Sequence, residues 1–165
     1  MRARMILTHA IVAIACAAQE PPSDSTAGGS GELSAAHRAA LGDSLAALAE
    51  QMLARARAMD VEGTVASYSG RPDFTHVDNG VLLEWPDLEA GVRSSFAEME
   101  ANDIRWVEPP RILLLDENVA VIVGLHRFGG GGSIAAHDGL WTGVLERIEG
   151  TWKIVHSHSS DVREP

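Results

Sequence analysis

The order of hydrophobic patterns in this 165-residue sequence predicts an α+β fold. Two segments with helical spacing come first, a hairpin and a third helical segment follow, and long strand-like runs complete the chain. Such an order favours a curved, mainly antiparallel sheet with about three helices on its concave face. We expect one domain over residues 34–160, without internal repeats, and a short C-terminal tail over residues 161–165.

The overall composition limits the classes of partner. Hydrophobic residues make up 45% of the sequence, which is ordinary for a globular domain. The formal net charge is −10, so a nucleic-acid backbone would be repelled, and we expect no nucleic-acid partner. The acidic residues are spread along the chain, which indicates a role in solubility.

Residues 1–16 have the pattern of an export signal. Arg2 and Arg4 precede an apolar run that is too short to span a bilayer, and the run ends in Ala-Ile-Ala followed by Cys16. This ending resembles the cleavage site of bacterial lipoproteins, and the resemblance implies a lipid anchor at Cys16 in the bacterial cell envelope. A plain secretory signal, or a misassigned start codon on a cytosolic protein, are the alternatives.

Residues 17–33 are rich in Pro, Ser and Gly, so they predict a flexible linker between this signal and the domain. Cys16 is the only cysteine in the chain. An internal disulfide is therefore excluded.

The helical segments are bounded by residues that suit helix ends. Ser34 is a predicted N-cap, and Asp60 is predicted to end the first helix and to cap a short second helix. Pro86 suits the first turn of a third helix. The apolar stripes of the first and third helices contain Leu41, Leu45, Leu48, Met52, Met59, Leu88, Val92, Phe96 and Met99.

The remaining segments alternate as strands. A hairpin is predicted over residues 73–85, because Asp78-Asn79-Gly80 is a strong turn signal between two alternating runs. Longer strands are predicted over residues 104–115, 119–128, 134–148 and 150–160, with a bulge or bend at Pro109-Pro110. The glycine-rich residues 129–133 join two strands and match no phosphate-binding fingerprint.

The last strand carries the most informative pattern. Period-two alternation places Trp152, Ile154, His156 and His158 on one face. The apolar first half then suits the core, and the two imidazoles suit the wall of a polar pocket. If the phase is the opposite one, Val155, Ser157 and Ser159 line the pocket instead.

This Trp-Lys-Ile-Val-His-Ser-His-Ser run after a Gly turn resembles the closing strand of the SnoaL-like branch of the nuclear transport factor 2-like (NTF2-like) superfamily. The order of elements over residues 34–160 matches as well. The resemblance implies a cone-shaped fold with a ligand pocket between helices and sheet, and a homodimer formed through the exposed sheet face. We expect binding of a small, partly apolar molecule, without catalysis.

Several side chains are candidates for this pocket because alternation or helical spacing can point them inward. His158 is the first choice among them. A hydrogen-bonded structural role is the alternative for each histidine, and a core role is the alternative for Trp85, Trp141 and Trp152. The candidate ligand-binding residues are Tyr68, His76, His126, Trp141, His156 and His158.

Catalysis is the alternative function. In the ketosteroid isomerases of this superfamily an Asp acts as the base, and a Tyr and a protonated Asp form the oxyanion hole. Asp78 lies close to the position of that base, but the long first helix has no Tyr and residues 140–144 contain no acid. A proton shuttle between Asp78 and His158 would support an isomerase, cyclase or dehydratase. A protein-interaction module is the third possibility.

Other kinds of chemistry have weaker support. His156 and His158 could form a metal site together with His126 or His76, but zinc needs three or four ligands and no further spacing supplies them. Ser159 and Ser160 lack a nucleophile-elbow motif. We therefore expect neither a metal nor a cofactor.

Overall fold

The computed structural model describes residues 33–129 and 136–162, which form three helices and seven strands. The predicted signal over residues 1–16 and nearly all of the predicted linker lie outside the described residues, as do the last residues of the predicted tail. None of the described helices is long and apolar enough to cross a membrane. The α+β prediction is confirmed.

The three helices begin where the sequence predicts. Helix α1 spans Ala35–Arg57, and the Ser34 side chain accepts a hydrogen bond from the backbone N–H of His37. Helix α2 spans Val61–Val65, and the Asp60 carboxylate accepts from the backbone N–H of Gly63 at 2.9 Å. Helix α3 spans Trp85–Glu98 and carries Pro86 in its first turn. Each capping oxygen satisfies a backbone donor that the helix itself leaves unpaired.

The strands also follow the predicted order. They are β1 (Thr75–Asp78), β2 (Val81–Glu84), β3 (Ile104–Trp106), β4 (Arg111–Leu114), β5 (Val119–Phe128), β6 (His137–Ile148) and β7 (Thr151–Asp161). Asn79 and Gly80 have φ angles of 49° and 87°, as a two-residue hairpin turn requires. Pro109 and Pro110 separate β3 from β4, which confirms the predicted interruption. The strand predicted from residue 134 begins, among the described residues, at His137.

The strands form one mixed sheet. Its order is β2-β1-β7-β6-β5-β3, and β4 also pairs with β5. Only β1 and β7 pair in parallel among the described strands, so the sheet is mainly antiparallel, as predicted. Because β3 and β4 pair with opposite ends of β5, the segment between them lies along one sheet edge.

The helices cover one face of this sheet. Leu45 and Ala49 of α1 and Leu88 of α3 belong to a single buried cluster with side chains from the strands. The other members of the cluster are Phe74, which directly precedes β1, and the strand residues Ala120, Ile122, Leu145 and Ile154. We call the sheet face that carries these residues the inner face, and the opposite one the outer face. Burial of these apolar side chains is the main stabilising contribution at this packing surface.

A β-bulge in β7 changes which residues reach the inner face. His156 pairs with Val144, whereas Ile154 pairs with the next residue, Leu145, so that Val155 has no register partner. One extra residue in a strand exchanges the faces of everything after it. The predicted phase therefore holds up to Ile154 and is wrong beyond it, because Ser157 is fully buried on the inner face.

Candidate functional site

A cavity of about 250 Å³ lies between the helices and the inner face. Its wall combines side chains from all three helices with residues of five strands and of the segments that join them. The lining residues are Met52, Leu53, Ala56, Thr64, Ser67, Tyr68, His76, Phe96, Asn102, Ile104, Trp106, His126, Phe128, Trp141 and Ser159. Most of this surface is apolar or aromatic, which is typical of sites for small organic ligands.

Two glycines make room for the indole rings in this wall. A Cβ atom at Gly124 would lie 2.5 Å from the ring of Trp106, and one at Gly143 would lie 2.1 Å from the ring of Trp141. Both rings can therefore lie across the inner face only because these positions have no side chain. The two ring centroids are 6.2 Å apart, so the indoles also contact each other.

Hydrogen bonds to β7 fix the opposite side of the cavity. His76 Nδ1 and Ser157 Oγ share a buried hydrogen bond of 2.8 Å. The backbone around Tyr68 pairs with the first half of β7, since Ser67 accepts from Ile154 and Ser69 donates to it. The Tyr68 ring then packs edge-on against Phe74. His76 and Tyr68 are thus positioned by the same strand, one on each side of the bulge.

The ionisable groups of the cavity favour their uncharged forms. Burial lowers the pKa of His76, an effect that the nearby Asp78 opposes in part. Burial likewise lowers the pKa of His126 and raises the pKa of Tyr68 to about 12. No Asp, Glu, Lys or Arg is among the described residues that line this cavity. At neutral pH the cavity therefore presents neutral imidazoles and a neutral phenol.

Two buried polar atoms on residues that line the cavity have no hydrogen-bond partner among the described residues. These are Asn102 Oδ1, on a residue that is 9% exposed, and Trp106 Nε1. A buried polar atom without a partner costs about 1–3 kcal/mol. One is an acceptor and the other a donor, so a hydroxyl-bearing ligand could satisfy either.

The structure brings together four of the six side chains that we predicted to bind a ligand. Tyr68, His76, His126 and Trp141 all line the cavity. Their role in binding stays a prediction, because the structure shows only where they lie. Trp141 also packs against the buried cluster, as do Trp85 and Trp152, which do not line this cavity.

The other predicted residues lie elsewhere. His156 shares a 2.8 Å hydrogen bond with Thr75 on the outer face, and His158 pairs with Thr142 and Val77 on that face. The prediction that both imidazoles point toward the pocket is wrong, and the bulge after Ile154 is the reason. Asp78 shares a strand face with His76 but is exposed at the end of β1, outside the cavity lining.

Sequence reasoning missed several lining residues. Ser159 is a candidate for the pocket only under the opposite strand phase, and Asn102 is not among the candidates. Trp106 was treated as part of a long strand, although its isolated aromatic character in a polar segment is a signal for an inward-facing anchor. The two unpaired polar atoms of the cavity belong to these missed residues.

A metal site does not form among the described residues. No group of three or more His, Cys, Asp or Glu side chains is close enough to hold an ion there. His76 and His126 face the cavity, while His156 and His158 lie on the outer face, so the sheet separates the four histidines into two pairs.

The family model described as SnoaL-like domain matches residues 45–164 of the chain. The chain belongs to the SnoaL-like domain family. No match was found among the curated proteins. The match covers every strand that contributes to the cavity of this SnoaL-like domain.

Solved structures show the same fold. An NTF2-like superfamily protein from Salmonella enterica has a TM-score of 0.65 at 15% identity, covering 77% of this chain and 94% of its own. An NTF2-like protein of unknown function from Shewanella oneidensis has a TM-score of 0.60 at 20% identity, with 72% and 98% covered. A ketosteroid isomerase-like protein from Erwinia carotovora has a TM-score of 0.58 at 15% identity, with 75% and 96% covered. At these identities the likeness concerns the fold alone.

The lowered pKa of His76 gives the SnoaL-like domain a pH-dependent stability. Unfolding restores the ordinary imidazole pKa of about 6.5, so below that pH the unfolded chain binds more protons. The free energy of unfolding should therefore fall as the pH decreases from 7.5 to 5.0. His76→Gln should show a smaller decrease, measured by urea unfolding at both pH values. The control is His37→Gln, which removes an exposed imidazole from α1. Equal pH dependence in wild type and His76→Gln would contradict this explanation.

Proposed function

We propose that this domain binds a small, uncharged and largely apolar molecule in the cavity and does not catalyse a reaction. The observation that carries the proposal is the pair of buried, unpaired polar atoms, Asn102 Oδ1 and Trp106 Nε1, on two residues that line a mostly apolar and aromatic cavity. A ligand with one hydroxyl or carbonyl group would satisfy one of these atoms while its apolar part displaces water from the aromatic wall.

The size of the cavity favours a ligand of one or two rings. Its volume of about 250 Å³ is below the roughly 300–1,000 Å³ that is usual for sites of drug-sized ligands. A four-ring steroid would need the cavity to expand. The neutral state of His76, His126 and Tyr68 at neutral pH also favours an uncharged ligand over an ion.

The arrangement gives less support to an isomerase or cyclase. The proposed proton shuttle needs Asp78 and His158 on the same side of the sheet, but Asp78 is at an exposed strand end and His158 is on the outer face. A base must reach the proton that it removes. The neutral imidazoles of His76 and His126 are the acid–base groups that do face the cavity.

Binding can be tested with 2-naphthol, a two-ring molecule with one hydroxyl group. The chain has four tryptophans, so ¹⁵N-labelled protein should give four indole N–H signals. We expect 2-naphthol to shift the signals of Trp106 and Trp141. Trp106→Phe removes one donor and should weaken binding about 2- to 10-fold, the equivalent of one hydrogen bond. If the hydroxyl group instead donates to Asn102 Oδ1, Asn102→Leu should be the variant that weakens binding. In either case Asn102→Leu should raise the free energy of unfolding by roughly 1–3 kcal/mol, because it removes a buried, unpaired acceptor.

Trp85→Phe is the matched control, because Trp85 packs on the core outside the cavity lining. Its affinity for 2-naphthol should equal that of the wild type. Unchanged affinity in Trp106→Phe and Asn102→Leu would contradict the proposed site. Turnover of a 3-keto-Δ5 steroid that Asp78→Asn abolishes would replace binding with isomerase chemistry. A chain that shows neither result would be a protein-interaction module.

We also propose that the domain forms a homodimer through the outer face. Leu113 and Leu140 are 58% and 43% exposed on this face, where Val121, Val123 and Leu125 lie between them on β5. A self-complementary apolar sheet face suits a two-fold interface.

Leu140→Glu should convert a dimer to a monomer in analytical ultracentrifugation. Val81→Glu is the control, because Val81 is exposed on the other face of the hairpin. A monomeric wild type at micromolar concentration would contradict this proposal.

Cys16 lies outside the described residues, and its lipidation is the third part of the proposal. The basic, apolar and small-residue order of residues 1–16 supports it. In a bacterial host, Cys16→Ser should prevent lipidation and so change processing and membrane fractionation, because a lipid chain on the cysteine is the expected anchor. Identical processing and fractionation of wild type and Cys16→Ser would contradict the anchor.

A further inference from the structure

A second cavity, of about 170 Å³, lies beside the first one. Helix α1, the segment after α2 and the beginning of β7 surround it. The lining residues are Leu48, Met52, Arg55, Ala66, Ser67, Leu145, Thr151, Trp152 and Lys153. Met52 and Ser67 line both cavities, so these two side chains form part of a shared wall.

The second cavity is rich in hydrogen-bond donors. Arg55 Nη1 donates to the Gly63 carbonyl at 3.2 Å and to Ser67 Oγ at 3.0 Å. Lys153 Nζ donates to the Ala66 carbonyl. Trp152 Nε1 is buried and has no acceptor. All three donors belong to side chains that line this cavity, and no carboxylate belongs to its described lining.

Neither of the two cations forms an ion pair with a described residue. The ion pairs among the described residues involve Arg71, Arg93, Arg105, Arg127 and His137 on the cationic side. Arg55 and Lys153 form none among the described residues, and the oxygens named above that accept from them are neutral. Glu146, which is opposite Lys153 on β6, forms its ion pair with Arg71. A further cation, Arg147, lies over the Trp152 ring at 5.4 Å from its centroid. The charge at this cavity is therefore positive, in a protein whose formal net charge is −10.

Two cations that form no ion pair with a described residue, and an indole N–H without an acceptor, favour a ligand whose acceptor carries negative charge. The rest of the wall is apolar, because Leu48, Met52 and Leu145 contribute hydrocarbon or thioether surface. The volume equals about five or six water molecules. We propose that the second cavity binds a short-chain carboxylate, whose oxygens accept from Arg55, Lys153 and Trp152 and whose alkyl chain contacts the apolar wall.

This site is independent of the first cavity in its chemistry. The first cavity has neutral lining groups and suits an uncharged molecule, whereas the second pairs two cations with a short apolar wall. Inorganic phosphate would neutralise the cations but would leave the apolar wall without a partner. A carboxylate with a short alkyl chain satisfies both parts.

The test uses butanoate, with butanamide as its uncharged analogue and inorganic phosphate as the competing anion. In ¹⁵N-labelled full-length protein, butanoate should shift the indole signal of Trp152 and leave that of Trp106 nearly unchanged. Lys153→Gln and Trp152→Phe should each weaken butanoate binding about 3- to 10-fold. Arg38→Gln, an exposed substitution with the same loss of charge, should leave the affinity unchanged.

A second measurement needs no variant. Lys153 is the only lysine in the sequence, so an amine-acetylating reagent modifies one side chain, and peptide mass spectrometry can follow it. Butanoate should slow acetylation of Lys153, and butanamide should not.

Butanamide that binds or protects as well as butanoate would overturn the proposal, as would stronger binding of phosphate. An equal loss of affinity in Arg38→Gln and Lys153→Gln would overturn it too, since the effect would then reflect net charge. Trp106→Phe should bind butanoate like the wild type, which separates this test from that of the first cavity.

Discussion

The β-bulge at Val155 is the constraint on which the rest of the structure depends. Before the bulge, Ile154 packs in the buried core between α1 and the sheet. After the bulge, Ser157 and Ser159 are the β7 residues that lie on the inner face. A strand without the bulge would have carried His156 and His158 inward, with their larger, titratable rings. The extra residue instead leaves a small serine hydroxyl where His76 needs a partner, and keeps space open in front of β7. The first cavity is thus a consequence of one local change in strand register.

The two cavities differ because of the residues that α1 and β7 place beside them. At the first cavity, α1 contributes apolar side chains and β5 and β6 contribute aromatic ones, so His76 and His126 are buried and remain uncharged. Toward the beginning of β7, Arg55 and Lys153 bring positive charge to a smaller space. Ser67 belongs to both walls, and its hydroxyl holds Arg55 in place by a direct hydrogen bond. One domain therefore contains a cavity with neutral lining groups and a second cavity with cationic ones.

Much of the fold could be predicted from local signals in the sequence. Ser34 and Asp60 cap helices, Asn79-Gly80 makes a hairpin turn, and Pro109-Pro110 interrupts a strand, because each effect depends on backbone chemistry within a few residues. The bulge could not be predicted from local signals. Val155 is an ordinary β-branched strand residue, and its lack of a register partner arises only from the pairing of β7 with β6. Likewise Asn102 and Trp106 reach the cavity through the pairing of β3 with β5, a contact between distant parts of the chain. Tyr68 and His76 are on segments without a bulge, so local spacing was enough to predict that they face the cavity, whereas His158 follows the bulge on β7.

A crystal structure of the domain with 2-naphthol would test the central claim most directly, because it would show both the occupied cavity and the faces of β7. We expect the naphthalene rings between Trp106 and the helices, with the hydroxyl group within hydrogen-bond distance of Asn102 Oδ1 or Trp106 Nε1. Ser157 should contact His76, and His158 should lie on the other side of the sheet. An empty cavity, with 2-naphthol held instead against His156 and His158, would contradict the account.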